Sequence, residues 1–404
     1  MDKSEISLTA SIDAVQHWVE SRHYKGYDPG DGLTSFLRPL TCRTIFGERI
    51  LQQLIWKSPI NLRPFVGVKP MDSTKGRGFM AWGYLMSHRA TGRPEALEKA
   101  VACLDWLRAN RSPRYADCCW GNHFDFTTRS GRISAHESTI VWSGLIGQAF
   151  VEAYVVTGES RFLESAESIC DWILKLPRER TATGDCLSYV ATEQSSIHNS
   201  NMLGAAMLAC TWKLSGRSEL LETARAAMRF SCARQRSDGS WWYGELPKYH
   251  WIDNFHTGYN LDSLKRYLAA TGEAEFEPLL DRGYRFFRQV FFEPTGRPRY
   301  YHNRTFPVDI QCAAQAIDTL SFFSDRDPTA LSQAMNVARW TIANMQDPSG
   351  YFYYRRYPWL TARTPYFHWG QATMFKALTH LQSKLSAKAE PSHEQVGADR
   401  IEGN

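Results

Sequence analysis

No two of the nine cysteines stand at Cys-x-x-Cys spacing, and the neighbours Cys118 and Cys119 form no regular framework with the rest. That excludes the common zinc and redox-pair motifs, and a chain of 404 residues does not need disulfides to stand. Reduced thiols and a cytoplasmic location are expected. Long apolar runs are also missing: nothing approaches the ~20 residues of a membrane span, and the first residues hold no apolar run behind basic ones, so no signal peptide is expected. Charge of one sign does not accumulate either. The net charge is +5 with basic residues spread along the chain, which leaves no footprint for nucleic acid.

What is present is aromatic. Phe, Trp and Tyr make up 13% of the chain, with 14 Trp, and such rings stack on sugar faces or line pockets. A repeat is present too. Short turns lead into amphipathic helices at Thr91, Thr157, Ser215, Thr271 and Ser324, with apolar residues three and four apart, as in Leu97, Val101, Leu104 and Leu107. Each is followed by a loop and a second helix richer in Gly, Ala and Ser. The second helices begin near Lys75, His136, Ile197, Asp253, Pro307 and Tyr366, roughly 54 to 61 residues apart. With Thr41 to Trp56 as the first outer helix, the spacing predicts an all-α (α/α)6 toroid. Residues 1–384 form one domain, a helix over about 8–22 packs outside the ring, and 385–404 form a disordered polar tail.

In a toroid all inner helices start at one end, so their first turns and preceding loops share one funnel. His136 and Glu137, His198, Asn199 and Asn201, Asp309 and Gln311, and His368 and Gln371 are expected there. On the fourth inner helix Asp253, His256, Thr257 and Asn260 form a single stripe. Gly turns in "DGSWWYGE", "PTGRPRYYHN" and "DPSGYFYYRR" lead into alternating aromatics that suit short β-hairpins at the rim. Trp241, Trp242, Tyr243, Tyr300, Tyr301, Tyr351, Tyr353 and Tyr354 would wall the mouth, and Tyr259 is a further substrate-binding candidate, with Tyr301 a tyrosine that could serve a lyase. Arg355 and its neighbours Arg297, Arg299, Arg304, Arg356 and Arg363 would favour a glycan bearing carboxylates.

The runs "WIDNFHTGYNLDSLKRYL", "RYYHNRTFPVDIQCAAQAID" and "YFHWGQATMFKAL" resemble VpsJ-type polysaccharide-biosynthesis proteins, over roughly Gly30 to Ser383. The resemblance implies a part in making or modifying surface polysaccharide. The layout is also similar to sugar-active toroids: N-acylglucosamine 2-epimerases, unsaturated glucuronyl hydrolases and glucuronyl C5-epimerases. The epimerase likeness implies two catalytic histidines on inner helices four and six, which here carry His256 and His368. "QRSDGSW" matches a triterpene-cyclase repeat motif, but the acid motifs of those enzymes are absent.

Plainer roles compete for the same residues. Glu137 stands three after Ser134, as in a capping box. Asp253 and Asp309 suit N-caps. Trp106, Trp172 and Trp340 belong to outer-helix packing. Asp309, Cys312 and His368 could be set around zinc, but the spacing does not match the prenyltransferase motif, and neither metal nor cofactor is expected. Three classes remain: acid–base epimerisation by His256, His368 and His198; glycoside cleavage by Asp253 with a second carboxylate (Asp309, Glu137 or Glu245), or a tyrosine-assisted lyase; and a glycan binder without turnover.

Overall fold

The computed structural model describes residues 7–129 and 131–389. In chain order the helices are α1 (Leu8–Glu20), α2 (Ile45–Lys57), α3 (Thr74–Thr91), α4 (Pro94–Ala109), α5 (Ile140–Thr157), α6 (Ser160–Leu174), α7 (His198–Ser215), α8 (Ser218–Cys232), α9 (Asn254–Thr271), α10 (Glu277–Val290), α11 (Ile310–Phe322), α12 (Ala330–Met345) and α13 (Thr373–Ala389). A π-turn, Phe367–Ala372, leads into α13. Helices α3, α5, α7, α9, α11 and α13 each touch the next, and α13 closes on α3. They are the inner ring of the expected toroid, buried on most sides. Even α5, long and apolar enough by composition to cross a membrane, is two-thirds buried in it.

The outer ring differs from expectation at one place. Its first member is α1, and α2 lies outside the ring. Positive-φ glycines show why. After an outer helix the chain turns at Gly184, Gly239, Gly296 or Gly350, and each glycine lies flat on a carbonyl of the next outer helix: Ala226 in α8, Arg282 in α10, Asn336 in α12 and Ala14 in α1. A Cβ on any of them would stand 2.3–2.5 Å from that oxygen, so only glycine fits. Helix α1 therefore follows α12 around the ring. Ser11 donates to Gln346 Oε1 at 2.7 Å, and Glu20 accepts from Tyr84 and Lys99, on α3 and α4. Its apolar stripe, Ile12, Val15, Trp18 and Val19, is fully covered.

Helix α2 instead sits in the long connection from α1 to α3, at the mouth. Gln52 grips the Thr127 backbone through both its amide atoms. Glu48 pairs with Arg38 and Arg132, and the wholly buried Arg63–Asp31 pair (2.8 Å) pins the segment that follows. Short strands edge the same end: β1 (Lys25–Gly26) with β2 (Met71–Asp72), β3 (Phe126–Thr127) with β4 (Arg132–Ile133), β5 (Arg178–Thr181) with β6 (Gly184–Leu187), and β7 (Val308–Asp309) with β8 (Arg355–Arg356) and β9 (Thr361–Ala362). Around the expected Gly–aromatic hairpins pairing is reduced to single bridges such as Phe292 with Pro298 and Gln346 with Phe352. At the other end of the chain α13 runs to Ala389, so 385–389 are helical where a tail was expected; 390–404 lie outside the described residues.

Candidate active site

The site grows from the N-terminus of α9. Asp253 is its N-cap: Oδ1 accepts from the His256 N–H at 2.9 Å. The other oxygen accepts from Trp251 Nε1 (2.9 Å) and meets His256 Nδ1 at 2.7 Å. N-cap and histidine partner are thus one residue, because a carboxylate has lone pairs for both. Asp253 is 1% exposed, whereas the His256 ring is 20% exposed and faces a groove. That groove, of about 350 Å³, is bounded by Trp251, Tyr300 and Tyr301 on one side and by Arg49, Gln53, Trp56 and Lys57 of α2 on the other, with Arg129 and Arg355 beside them. Tyr243 stacks on Trp251 (4.4 Å between centroids) and abuts His256.

Electrostatics in the groove are one-sided. Asp309, the N-cap of α11, is fully buried and held by Arg355 and by Trp369 Nε1. Among the described residues no carboxylate pairs with Arg49, Lys57 or Arg129. Burial, followed by the Asp253 charge, pushes the Tyr300 and Tyr301 hydroxyls above the usual tyrosine range. Deeper in, buried polar atoms without a partner among the described residues cluster at the first turns of the inner helices: Trp142 Nε1, Asn199 Oδ1, both amide atoms of Asn254, Asn260 Oδ1 and Gln311 Oε1. Native folds leave few such atoms unless something polar meets them.

His368 belongs to a second group. Its Nδ1 lies 2.5 Å from Asp28 Oδ2, and its ring stands beside Trp142, which carries the Lys75 ammonium over its face. Burial pulls the Lys75 amine down to about 8, with Asp28 opposing. Burial pushes the Asp28 carboxyl up, but His368, the Gly30 N–H and Lys75 outweigh it and hold it below the usual range.

Several expected residues stand elsewhere. His198 points outward, its Nε2 on Glu245 at 2.8 Å and its Nδ1 3.2 Å from Ser231 Oγ, with the ring 1% exposed. Helix α5 starts at Ile140 under a Thr139 cap, so His136 and Glu137 are loop residues. His136 takes a left-handed backbone and sets its ring at a tilt against His123, while Glu137 accepts from Tyr115 Oη at 2.6 Å. Strand alternation turns Tyr351 and Tyr353 outward, onto Trp18 and Asp347, and buries Tyr354. Trp241 hangs from the Ser231 carbonyl and Trp242 stacks on His250, yet both line a small pocket shared with Asp253 and His256. Tyr259 is buried, its hydroxyl accepting from Gln311 at 2.8 Å. Asn260 lines a small pocket with Tyr243 and His256. Cys312 is buried close to Asp309, but Asp309 is held by Arg355 and His368 lies on Asp28, so the three are not brought together; among the described residues no three His, Cys, Asp or Glu are grouped to hold a metal.

Sequence reasoning missed Trp251, although it lies two residues before Asp253. It also missed Asp28, Lys75 and the α2 wall. Lys75 carried a signal, since it stands with Arg77 in the first turn of a helix whose middle, Gly78 to Met86, is built from small and apolar or aromatic residues. Asp28 and α2 carried none, because they reach the mouth from a connection with no repeat counterpart.

No family model matches the chain, and no curated protein does. Solved structures do match. The Lin0763 protein from Listeria innocua aligns with a TM-score of 0.64 at 12% identity, over 96% of this chain and all of that one. A cellobiose 2-epimerase from Bacillus thermoamylovorans gives 0.61 at 9% identity, over 93% and 99%. A GH76 α-mannanase from Bacteroides thetaiotaomicron gives 0.60 at 12% identity, over 78% and 87%. At such identities the likeness concerns architecture alone: the chain is an (α/α)6 toroid, a ring that also carries sugar epimerases and mannanases.

Proposed function

We propose that the protein is an acid–base enzyme acting on a saccharide that carries a carboxylate, in surface-polysaccharide biosynthesis. The observation that carries this reading is His256: its Nδ1 is fixed on Asp253 at 2.7 Å while its ring opens to a groove edged by four cations and four other aromatic residues, Trp56, Trp251, Tyr300 and Tyr301. A neutral imidazole held that way presents Nε2 as a base, since Asp253 selects the tautomer with the proton on Nδ1. Arg and Lys along the groove would hold the sugar carboxylate and stabilise the charge that develops when the adjacent carbon loses its proton. Tyr300 or Tyr301, protonated at neutral pH as an ordinary phenol is, would deliver a proton: to the opposite face in epimerisation, or to the leaving oxygen in elimination.

Hydrolysis by paired carboxylates is less well supported. Asp309, Glu137 and Glu245, its candidate second acids, are all engaged by cations or hydroxyls. Incubation with uronate-containing oligosaccharides in deuterated water tests the proposal. Deuterium at the carbon next to the carboxylate supports epimerisation, and a new ultraviolet-absorbing double bond supports elimination. New reducing ends with neither signal would establish a hydrolase, and tight binding with no chemistry a binding protein.

A further inference from the structure

The helix that walls the groove has an outer face that the toroid leaves uncovered. Glu48, Gln52 and Ile55 of α2 point inward, and Arg49, Gln53, Trp56 and Lys57 border the groove. Phe46, Ile50 and Leu54, at i, i+4 and i+8, form a third stripe that is open to solvent, with Phe46 76% exposed. The loops on either side add Phe36, Leu40, Ile60 and Phe65. Among the described residues, eight of the twelve large hydrophobic side chains left exposed fall between Phe36 and Phe65. Beside Phe46, Ile50, Leu54 and Leu62 runs a shallow cleft of about 730 Å³. Ordinary soluble surfaces scatter such residues singly.

The charge of the segment is as uneven as its hydropathy. Of the six Lys and Arg in residues 32–70, Arg63 is buried against Asp31 and Arg38 is held by Glu48 and Asp125; among the described residues no carboxylate pairs with the other four, Arg43, Arg49, Lys57 and Lys69, and the one acid of the stretch, Glu48, is buried and already paired. The hairpin from β8 to β9 stands against the end of α2, where Tyr366 Oη donates to the Trp56 carbonyl and Trp56 and Tyr357 both pack on the buried cluster of Tyr354, Ala362 and Tyr366. At its tip Trp359 is 96% exposed, followed by exposed Leu360. An apolar stripe flanked by cations, with a bare tryptophan alongside, is the composition of a helix that lies in a membrane interface.

We infer that the α2 face, with its flanking loops, docks on an anionic lipid surface. A second copy of the chain is the poorer occupant, because a two-fold interface would set the same unpaired cations against one another. Anionic headgroups reverse that sign, each nearby Lys or Arg adding to the attraction. Docking here lays the groove's α2 wall along the headgroups, within reach of a saccharide carried on a lipid. That consequence rests on the saccharide reading; the docking does not, and its test contains no sugar.

Purified protein is sedimented with phosphatidylglycerol-containing vesicles and with pure phosphatidylcholine vesicles. Binding is expected to the first only, weakening as salt is raised. Phe46→Asp combined with Leu54→Asp should weaken it by about tenfold or more, and Trp359→Ala by a few-fold. Leu246→Asp, at an exposed apolar residue outside this segment, should leave it unchanged. Cys42, the exposed cysteine beside α2, offers a site for an environment-sensitive dye whose emission should shift to the blue on the anionic vesicles. No binding to either vesicle would overturn the inference. So would a concentration-dependent dimer that the Phe46 and Leu54 substitutions dissolve, or vesicle binding indifferent to them.

Discussion

Helices α7 and α9 are neighbours in the inner ring, equal in length, and each sets a histidine in its first turn against a carboxylate. His198 meets Glu245 at 2.8 Å and His256 meets Asp253 at 2.7 Å. Yet one ring is sealed against Ser231 and the other faces the groove. The difference is phase: His198 is the first residue of its helix and His256 the third, some 200° further round at 3.6 residues per turn. A histidine near a helix start is therefore not yet a site. Asp309 extends the comparison, since it caps α11 as Asp253 caps α9 but spends its second oxygen on Arg355.

The sharpest way to break this comparison is to disable the open histidine. His256→Ala or Asp253→Asn should cost about 10²–10⁴-fold in turnover with little change in melting temperature. Asparagine keeps the cap but sets an amide against two donors, Trp251 Nε1 and His256 Nδ1. Full activity in the Asp253→Asn variant, with the helix intact by circular dichroism, would return Asp253 to the role of a plain cap. Next in size, Arg355→Met strands the buried Asp309 charge and should lower unfolding stability by roughly 3–5 kcal/mol in urea titrations. His198→Ala should cost roughly 1–3 kcal/mol and leave turnover within a few-fold; a loss as large as that of His256→Ala would erase the distinction between the two helices.

A further effect is one of pH. Lys75 has a folded pKa near 8 against an ordinary 10.5, so between those values the unfolded chain binds more protons at this residue. Stability should then rise with pH across that window, fastest where the two states differ most in protonation. Buried tyrosines act in the opposite sense at the alkaline end, so the readout is the melting temperature of the wild type minus that of Lys75→Met, followed from pH 7 upward.

Most of the ring was legible because each inner and outer helix repeats the same burial at the same interval. The α9 stripe was legible because Asp253 and His256 lie three apart, and three apart means one face. The two N-terminal helices were not. Ile12, Val15, Trp18 and Val19 of α1 are covered, whereas Phe46, Ile50 and Leu54 of α2 are not. Both patterns are helical, and periodicity tells that an apolar face exists without telling what meets it. Spacing within one helix likewise fails for Asp28 and His368, which are joined only by the closure of the ring.

The seating of Gly350 on Ala14, and of Ser11 on Gln346 across 335 residues of chain, bears on how the molecule is born. Helix α1 leaves the ribosome with its apolar side bare and must wait until α12 and α13 exist to cover it. At roughly 5–20 residues per second the delay is on the order of tens of seconds. A stalled nascent chain ending before α12 is expected to show α1 open to protease and to recruit chaperones, and the released full chain to protect it. Equal protection in both would mean that α1 finds shelter on α3 and α4 alone.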